Sequence, residues 1–536
     1  MLYNCFFYKT LQNLIIHVNK STLLFLIVLI LCGFSSCKKD EPVVSLISTD
    51  NTLVVLDETD YRPNYHFTPA LHWMNDPNGL VYYKGEYHLF YQYNPNGNTW
   101  GPMNWGHAVS TDLFNWQDLP IALSPDNLGT IFSGSAVVDA SNTSGFKAGG
   151  EDPIVAIYTS AGAQQSQCIA YSIDKGRTWT KYANNPVLPN PGVPDFRDPK
   201  VSWLPDQNKW LMALATGNKI SFYSSLDLKS WTFESNFGVG IGAHGGVWEC
   251  PDLFQLPVEG TSLKKWVLLV SINPGGPNGG SATQYFVGDF DGNKFTSDSN
   301  TSSWIDSGTD NYAGVTFNNI PSNDGRRIMM GWMSNWNYAG QVPTTSWRST
   351  NTVPRAMTLV QKGSSFVLRF NPVTELNNYI NTTVTTLTQK ANVLELTNNE
   401  IVKTGSYQLS FKADFTQLDT LKLTTGSAGA KMSVIFDKKY RTVTIDRSKS
   451  GFVNFNNVFA NSSSYQSFTI ETDNKLDIRM LVDKTSIELF WNNGEGVMTT
   501  LFFPMYQYNF IRIEGGKLLP QITDFNLSGI NKSIIR

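Results

Sequence analysis

The sequence predicts an all-β protein, a five-bladed β-propeller followed by a C-terminal β-sandwich, and three observations predict it. From about Tyr61 to Val360, short runs such as Glu86–Tyr91 and Trp266–Val270 alternate with Gly, Pro, Asn and Asp turn signals, a texture of short strands with little helix. Inside that stretch one phrase recurs, Ser-x-Asp followed by a turn and a Trp, at Ser110–Trp116, Ser172–Trp179 and Ser225–Trp231. Its starts lie 62 and 53 residues apart, the spacing of one four-stranded blade, so about 300 residues at that period hold roughly five blades. After Arg369–Leu376 the texture changes. Trp nearly vanishes and period-two strands joined by Gly turns take over, most clearly in Leu476–Asp483, Ser486–Trp491 and the turn Asn492-Asn493-Gly494, the pattern of a sandwich.

Taken in chain order, residues 1–36 read as a lipoprotein signal peptide. Lys9 and Lys20 are its only charges, and the apolar run Leu23–Leu31 ends at Gly33-Phe34-Ser35-Ser36-Cys37. A bilayer-spanning helix needs about 20 apolar residues, and this run is shorter, with small residues where a signal peptidase cuts. Cleavage before Cys37 leaves a cysteine to carry lipid, and residues 37–60, opening on Lys38-Lys39-Asp40-Glu41-Pro42, form a polar tether. The propeller is expected over 61–365, a linker over 366–390 and the sandwich over 391–536. The chain is therefore expected to be exported and attached to a membrane through its lipid alone.

Composition narrows the partners. Removing residues 1–36 takes away two lysines and no acids, so the formal charge moves from −3 to −5, which gives no basic face for nucleic acid. Only Cys168 and Cys250 lie beyond Cys37, too few for a disulfide framework or a four-cysteine metal site, though one bridge between them stays open. His66, His72, His88, His107 and His244 fall at no zinc-ligand spacing; neither a metal nor a cofactor is expected. Fifteen Trp, 22 Tyr and 32 Phe against 16% charged residues suit a protein that stacks flat rings on a neutral polar ligand, and equally a large β-protein that packs many aromatics.

Three acidic clusters in the propeller stretch carry the chemistry: Trp73-Met74-Asn75-Asp76-Pro77-Asn78-Gly79, Phe196-Arg197-Asp198-Pro199 and Trp248-Glu249-Cys250-Pro251-Asp252. Each sets a carboxylate beside a proline that stiffens the turn. A propeller can bring such distant segments to one central pocket. Cleaving a glycosidic bond needs two carboxyl groups, one protonated for the leaving oxygen and one ionised to attack or direct water. Glu249, between Trp248 and Cys250, reads as the desolvated acid, and Asp76, among Asn75, Asn78 and backbone donors, as the ionised partner.

With these motifs in this order, together with Gly331-Trp332-Met333-Ser334-Asn335-Trp336 and the sandwich segment Val482–Phe490, the sequence resembles glycoside hydrolase family 32, the invertases, inulinases and levanases. The resemblance implies a propeller fused to a sandwich and a retaining hydrolysis of β-fructosidic bonds. It further implies that Asp76 attacks the anomeric carbon, Glu249 is the acid/base, Asp198 holds ring hydroxyls and Arg197 orients the acid/base. Sugar contacts are carried over to Trp73, Asn75, Gln92, Trp100, Phe132, Ser133 and Trp332, with Trp73, Trp100 and Trp332 as an apolar collar. The sequence departs from the family pattern at Lys484-Thr485 in the sandwich and at Asn311 in Asp310-Asn311-Tyr312-Ala313.

The stretch Asn335–Arg348 looks more like levanases and exo-inulinases than like invertases, so the expected partner is a fructan or fructo-oligosaccharide, with sucrose as a further substrate, attacked from the chain end. An endo-acting levanase is the rival reading. A fructan-binding surface protein without catalysis would have lost a carboxylate, and all three are present; arabinan- or xylan-degrading propellers lack the Asn75–Gly79 and Glu249-Cys250 settings and the appended sandwich.

Overall fold

The computed structural model describes residues 53–461, 463–467 and 474–535. The expected signal, Cys37 and most of the tether lie outside them. Five antiparallel sheets follow one another along the chain. Each starts with an inner strand: His72–Tyr83, Thr130–Val138, Phe196–Leu204, Val247–Pro257 and Tyr312–Thr316. These inner strands contact one another in ring order and the fifth returns to the first. Closure is reinforced where Trp347–Arg348 pairs in parallel with His72–Trp73 and where the backbone N–H of Asn318 donates to Leu80 O at 2.8 Å.

The recurring phrase turns out to be one turn repeated between the third and fourth strands of blades 1, 2 and 3. The Ser hydroxyl bonds the Asp carboxylate at 3.1, 2.7 and 3.1 Å. Three residues after the Ser, Leu113, Lys175 and Leu228 sit at φ of 68°, 59° and 63°. Each Trp indole N–H closes the turn on a backbone carbonyl at 3.0 to 3.2 Å. The phrase recurs because one turn geometry, with an Asp side chain standing in for a backbone acceptor, is built in each of these three blades.

A six-stranded and a seven-stranded antiparallel sheet follow, from Ile380 to Ile530, and bury a common core that includes Phe411, Phe436, Ile487 and Ile513. The stretch expected as a linker, 366–390, is not one. It holds most of the last propeller strand, Ser365–Pro372, then a 3-10 turn, Thr374–Tyr379, and the first sandwich strand, Ile380–Val384. Leu368, Phe370 and Leu376 pack into the core there, so apolar burial makes structure where composition alone reads as transition. Cys168 and Cys250 are both buried and free, which excludes the bridge the sequence left open.

The sandwich is clamped to the propeller by buried charges. Asp483 accepts the backbone N–H of Asn64 and Tyr65 and meets His66 Nδ1 at 2.8 Å. Glu488 meets His66 Nε2 at 2.6 Å and accepts Arg355 Nε at 3.0 Å, and Arg355 also reaches Asp306 at 2.9 Å. A second pair joins Arg447 to Asp310 at 2.8 Å, with Tyr338 OH on the same carboxylate at 2.6 Å. Such charges are tolerable in a core only because each is multiply hydrogen-bonded. The motif Val482–Phe490 is therefore one of the sandwich's two grips on the propeller, Arg447 being the other.

Candidate active site

Each inner strand loses register near its N-terminal end, and Asn75, Asp76, Phe132, Ser133 and Asp198 within these breaks, with Glu249 at the edge of one, line one cavity. The shifts fall between Met74 and Pro77, Ile131 and Gly134, Glu249 and Asp252, and Tyr312 and Val315; on the third strand Arg197 and Lys200 bracket the bulge opposite Ala215 and Ala213. A β-bulge re-aims a side chain out of the ladder's alternation. Pro77, Pro199 and Pro251 explain why the bulges sit there, since a residue without an N–H cannot complete the ladder. Asp198, Cys250 and Ala313 take φ of 63°, 45° and 52°, a region that residues with a Cβ enter at a cost and that clusters at functional sites.

The resulting cavity, about 410 Å³, is lined by Asn75, Asp76, Gln92, Trp100, Phe132, Ser133, Arg197, Asp198 and Glu249, as expected from the sequence, and also by Gln165, Val247, Asn273 and Trp336. Asp76 accepts Ser133 Oγ at 2.7 Å and Asn75 Nδ2 at 3.1 Å. Asp198 accepts the Cys250 backbone N–H at 3.1 Å, and its own N–H donates to Thr159 Oγ1 at 3.0 Å. The Cys250 thiol lies 3.7 Å from Asp76 Oδ2 and 3.6 Å from Asp198 Oδ2. Those two oxygens are thus no farther apart than the two distances together. Arg197 donates to Glu249 Oε1 through Nε at 3.1 Å and Nη2 at 2.7 Å, and its other arm bonds Asp195. Tyr312, from the fifth inner strand, donates its hydroxyl to Glu249 Oε2.

The electrostatics differ from the expectation. Burial, reinforced by the charge of Glu249 and only partly offset by Ser133, Asn75 and the Cys250 thiol, pushes the Asp76 carboxyl up to about 6. Asn78 does not reach it; its amide lies beside Gln92 and Ser133. Burial also pushes Asp198 up, against the pull of Arg197. Glu249 is not surrounded by its sequence neighbours. Trp248 turns to the core between blades 3 and 4 and stacks on His244 at 5.0 Å, while the Glu249 side chain stays 21% exposed on Arg197. Strand alternation sends consecutive residues to opposite faces, so flanking Trp says little about a strand carboxylate.

Two expected collar residues stand behind the wall. Trp73 and Trp332 are 1% and 0% exposed and support Trp336, at centroid distances of 5.9 and 4.8 Å; Trp336 is the ring that faces the cavity. Trp73 acts on the site through its indole N–H, which donates to Asn75 Oδ1 at 2.8 Å and leaves the Asn75 amide N–H directed at Asp76. Trp100, half exposed, meets Phe132 edge-on at 5.7 Å, and both line the cavity. Among the residues not singled out from sequence, Tyr312 and Trp336 lay inside quoted motifs. Their signal was position relative to the strand end: Trp332 lies inside the strand Arg327–Met333 and Trp336 just beyond it.

Comparison with known proteins agrees with this arrangement along nearly the whole described chain. The profile for the glycosyl hydrolases family 32 N-terminal domain matches residues 66–370, and that for the glycosyl hydrolases family 32 C terminal matches 375–517. A levanase of Bacillus subtilis is 48% identical over 462 residues, covering 83% of this chain and 67% of the relative. An extracellular exo-inulinase of Aspergillus ficuum is 40% identical over 489 residues, 83% of this chain and 90% of the relative. Among solved structures, exo-inulinase from Aspergillus awamori superposes with a TM-score of 0.81 at 36% identity, over 88% of this chain and 98% of that one. The β-fructofuranosidase of Schwanniomyces occidentalis complexed with fructosyl-erythritol superposes at 0.80 and 34%, over 89% and 99%. The chain belongs to glycosyl hydrolases family 32 and is a glycoside hydrolase.

Proposed function

We propose that this enzyme hydrolyses β-fructosidic bonds of fructans such as levan or inulin, and of sucrose, from the chain end and with retention of configuration. The observation that carries the reading is the meeting of Asp76, Asp198 and Glu249, from three blades, in one cavity whose floor is closed. Below the carboxylates the Lys200 ammonium bonds Thr316 O at 2.5 Å and Asp252 at 3.1 Å, and Asn318 Nδ2 bonds Ala136 O and Val201 O. A pit blocked along the propeller axis takes its sugar from the mouth alone, and the likeness to exo-inulinases favours exo action over endo action.

In this mechanism Asp76 attacks the anomeric carbon while Glu249 gives a proton to the leaving oxygen, and the fructosyl unit is held on Asp76 as an ester. Glu249, now ionised, takes a proton from water as that water displaces Asp76. Arg197 and Tyr312 hold one oxygen each of Glu249 and fix the rotation of its carboxyl. Asp198, Asn75 and Gln92 offer directional hydrogen bonds to ring hydroxyls, and Trp100, Phe132 and Trp336 shield the reacting bond from water. We further propose export with lipid attachment at Cys37, on the strength of the Leu23–Leu31 run and Ser35-Ser36-Cys37. Labelled fatty acid should be incorporated by the wild type and lost in Cys37→Ala. For the reaction, early products from levan and inulin decide: free fructose alone is expected, a ladder of oligomers would mean endo action, and no release from either polymer would end the reading.

A further inference from the structure

We propose that the opposite end of the propeller, where blades 2 to 5 meet, carries a second carbohydrate-binding site that holds a neutral polyhydroxyl chain without cutting it. The active-site residues occupy the N-terminal ends of the inner strands. A separate cavity of about 500 Å³ opens at their C-terminal ends, lined by Trp203, Trp266, Phe290, Asp206, Gln255 and Arg327 among others. Asp198 and Trp203 lie on one inner strand five residues apart, or about 16 Å at the rise of a β-strand. The knot of Lys200, Asp252, Thr316 and Asn318 lies between the two cavities, so this is not an extension of the catalytic pit.

The lining has the chemistry of a sugar site. Trp203 and Trp266 are both half-buried, with their rings packed against those of Trp210 at 4.9 Å and Phe290 at 5.1 Å, which line the same cavity. Neither indole N–H has a protein hydrogen-bond partner among the described residues. Arg327 lies over Phe254 at 4.9 Å and donates only one long bond, 3.5 Å, to Phe317 O; it forms no ion pair among the described residues. A half-buried guanidinium and two indole N–H groups are thus free to donate, while Asp206 is free to accept. An anion would suit Arg327 alone, but Asp206 and Asp291 flank the same cavity and repel negative charge. Flat rings beside mixed donors and acceptors fit the apolar faces and vicinal hydroxyls of a sugar. That this sugar chain is a fructan rests on the function proposed above. A polymer tethered here stays at the surface while its ends are sampled by the pit, so affinity for polymer rises by raising local concentration.

The test separates polymer from short substrate. Trp266→Ala, Arg327→Met and Asp206→Ala are compared with the wild type for hydrolysis of a fructo-trisaccharide, and again in a Glu249→Ala background for retention by levan and inulin in affinity electrophoresis. Losing one aromatic or charged contact should weaken retention about three- to tenfold, with trisaccharide turnover unchanged. Asp206 is exposed and makes no side-chain hydrogen bond among the described residues, so its variant keeps the test readable if a Trp variant fails to fold. Unchanged retention in all three variants would overturn the proposal. So would calorimetric binding of inorganic phosphate that Arg327→Met abolishes while polymer retention stays intact, since that would make it an anion site. If the wild type releases no fructose from either polymer, the proposed function fails, and retention still decides the second site on its own.

Discussion

Removing one hydroxyl should move the acid limb of the activity profile without touching either reacting carboxyl. In the mechanism proposed above Asp76 must be ionised to attack, and its carboxyl is held up at about 6 by burial and by Glu249. The largest opposing contact is the 2.7 Å hydrogen bond from Ser133 Oγ. A hydrogen bond to a charged group contributes about 1.5–3 kcal/mol, and one pKa unit corresponds to about 1.4 kcal/mol. Ser133→Ala should therefore raise the Asp76 carboxyl by roughly one unit, or up to two if no water replaces the hydroxyl. The sign follows from the direction of the shift: a higher pKa leaves less ionised nucleophile at a given acid pH, so the rising limb of kcat/KM moves to higher pH. That limb reports free enzyme, and Asp198, also raised by burial, shares its titration with Asp76. Ser133 bonds Asp76 and not Asp198, so a displaced limb means that Asp76 takes part in the titration that sets it. The assay is fructose release from sucrose between about pH 4 and 8, the range in which such a carboxyl titrates. A limb that stays in place while the plateau drops would mean that Ser133 only contacts substrate and that Asp76 does not set the acid limb.

Three further outcomes follow from other parts of the molecule. Glu249→Ala should lower turnover of sucrose by roughly two to four orders of magnitude, with an activated aryl β-fructoside largely restoring the first step; undiminished sucrose turnover would remove Glu249 from proton transfer. His66, between Asp483 and Glu488, is raised to about 9, its partners outweighing burial. Its contribution to stability is complete below about 6.5, the unfolded value, and is lost as pH rises through about 9, amounting to about 3 kcal/mol. In His66→Gln, melting temperature should be lower at pH 6 and lose most of its alkaline fall; a parallel alkaline fall in both proteins would contradict this. Trp336→Ala should raise KM with little change in melting temperature, whereas Trp332→Ala, fully buried, should cost about 3–5 kcal/mol of stability. Equal destabilisation by both would mean that Trp336 belongs to the core.

What was legible in the sequence divides along a physical line. The repeat of Ser-x-Asp and Trp revealed blades because a local turn needs the same residues each time it is built. The Pro-bearing acidic clusters come together at one cavity because a bulge in a buried strand needs a residue that cannot donate to the ladder. Quantities that depend on neighbours from other blades were not legible. Trp248 seemed to surround Glu249 and does not; Arg197 and Tyr312 do, from 52 and 63 residues away. Asn78 seemed to serve Asp76, and the bond comes instead from Ser133, 57 residues on.

The same division explains why one fold can hold three carboxyl groups so close. Isolated, Asp76 and Asp198 sharing a thiol's surroundings would leave two buried charges in repulsion. Both are pushed towards protonation by burial, and the repulsion is limited because Arg197 carries its charge to Glu249 while lying 4.0 Å from Asp198. A single guanidinium thus compensates two acids, and its third contact, to Asp195, keeps the fork from rotating toward either one alone. Replacing it by lysine would keep the charge and lose the fork. The three acids would then stay near one another, but the orientation of Glu249 would rest on Tyr312 alone, and proton donation would lose the fixed direction on which an in-line departure of the leaving oxygen depends.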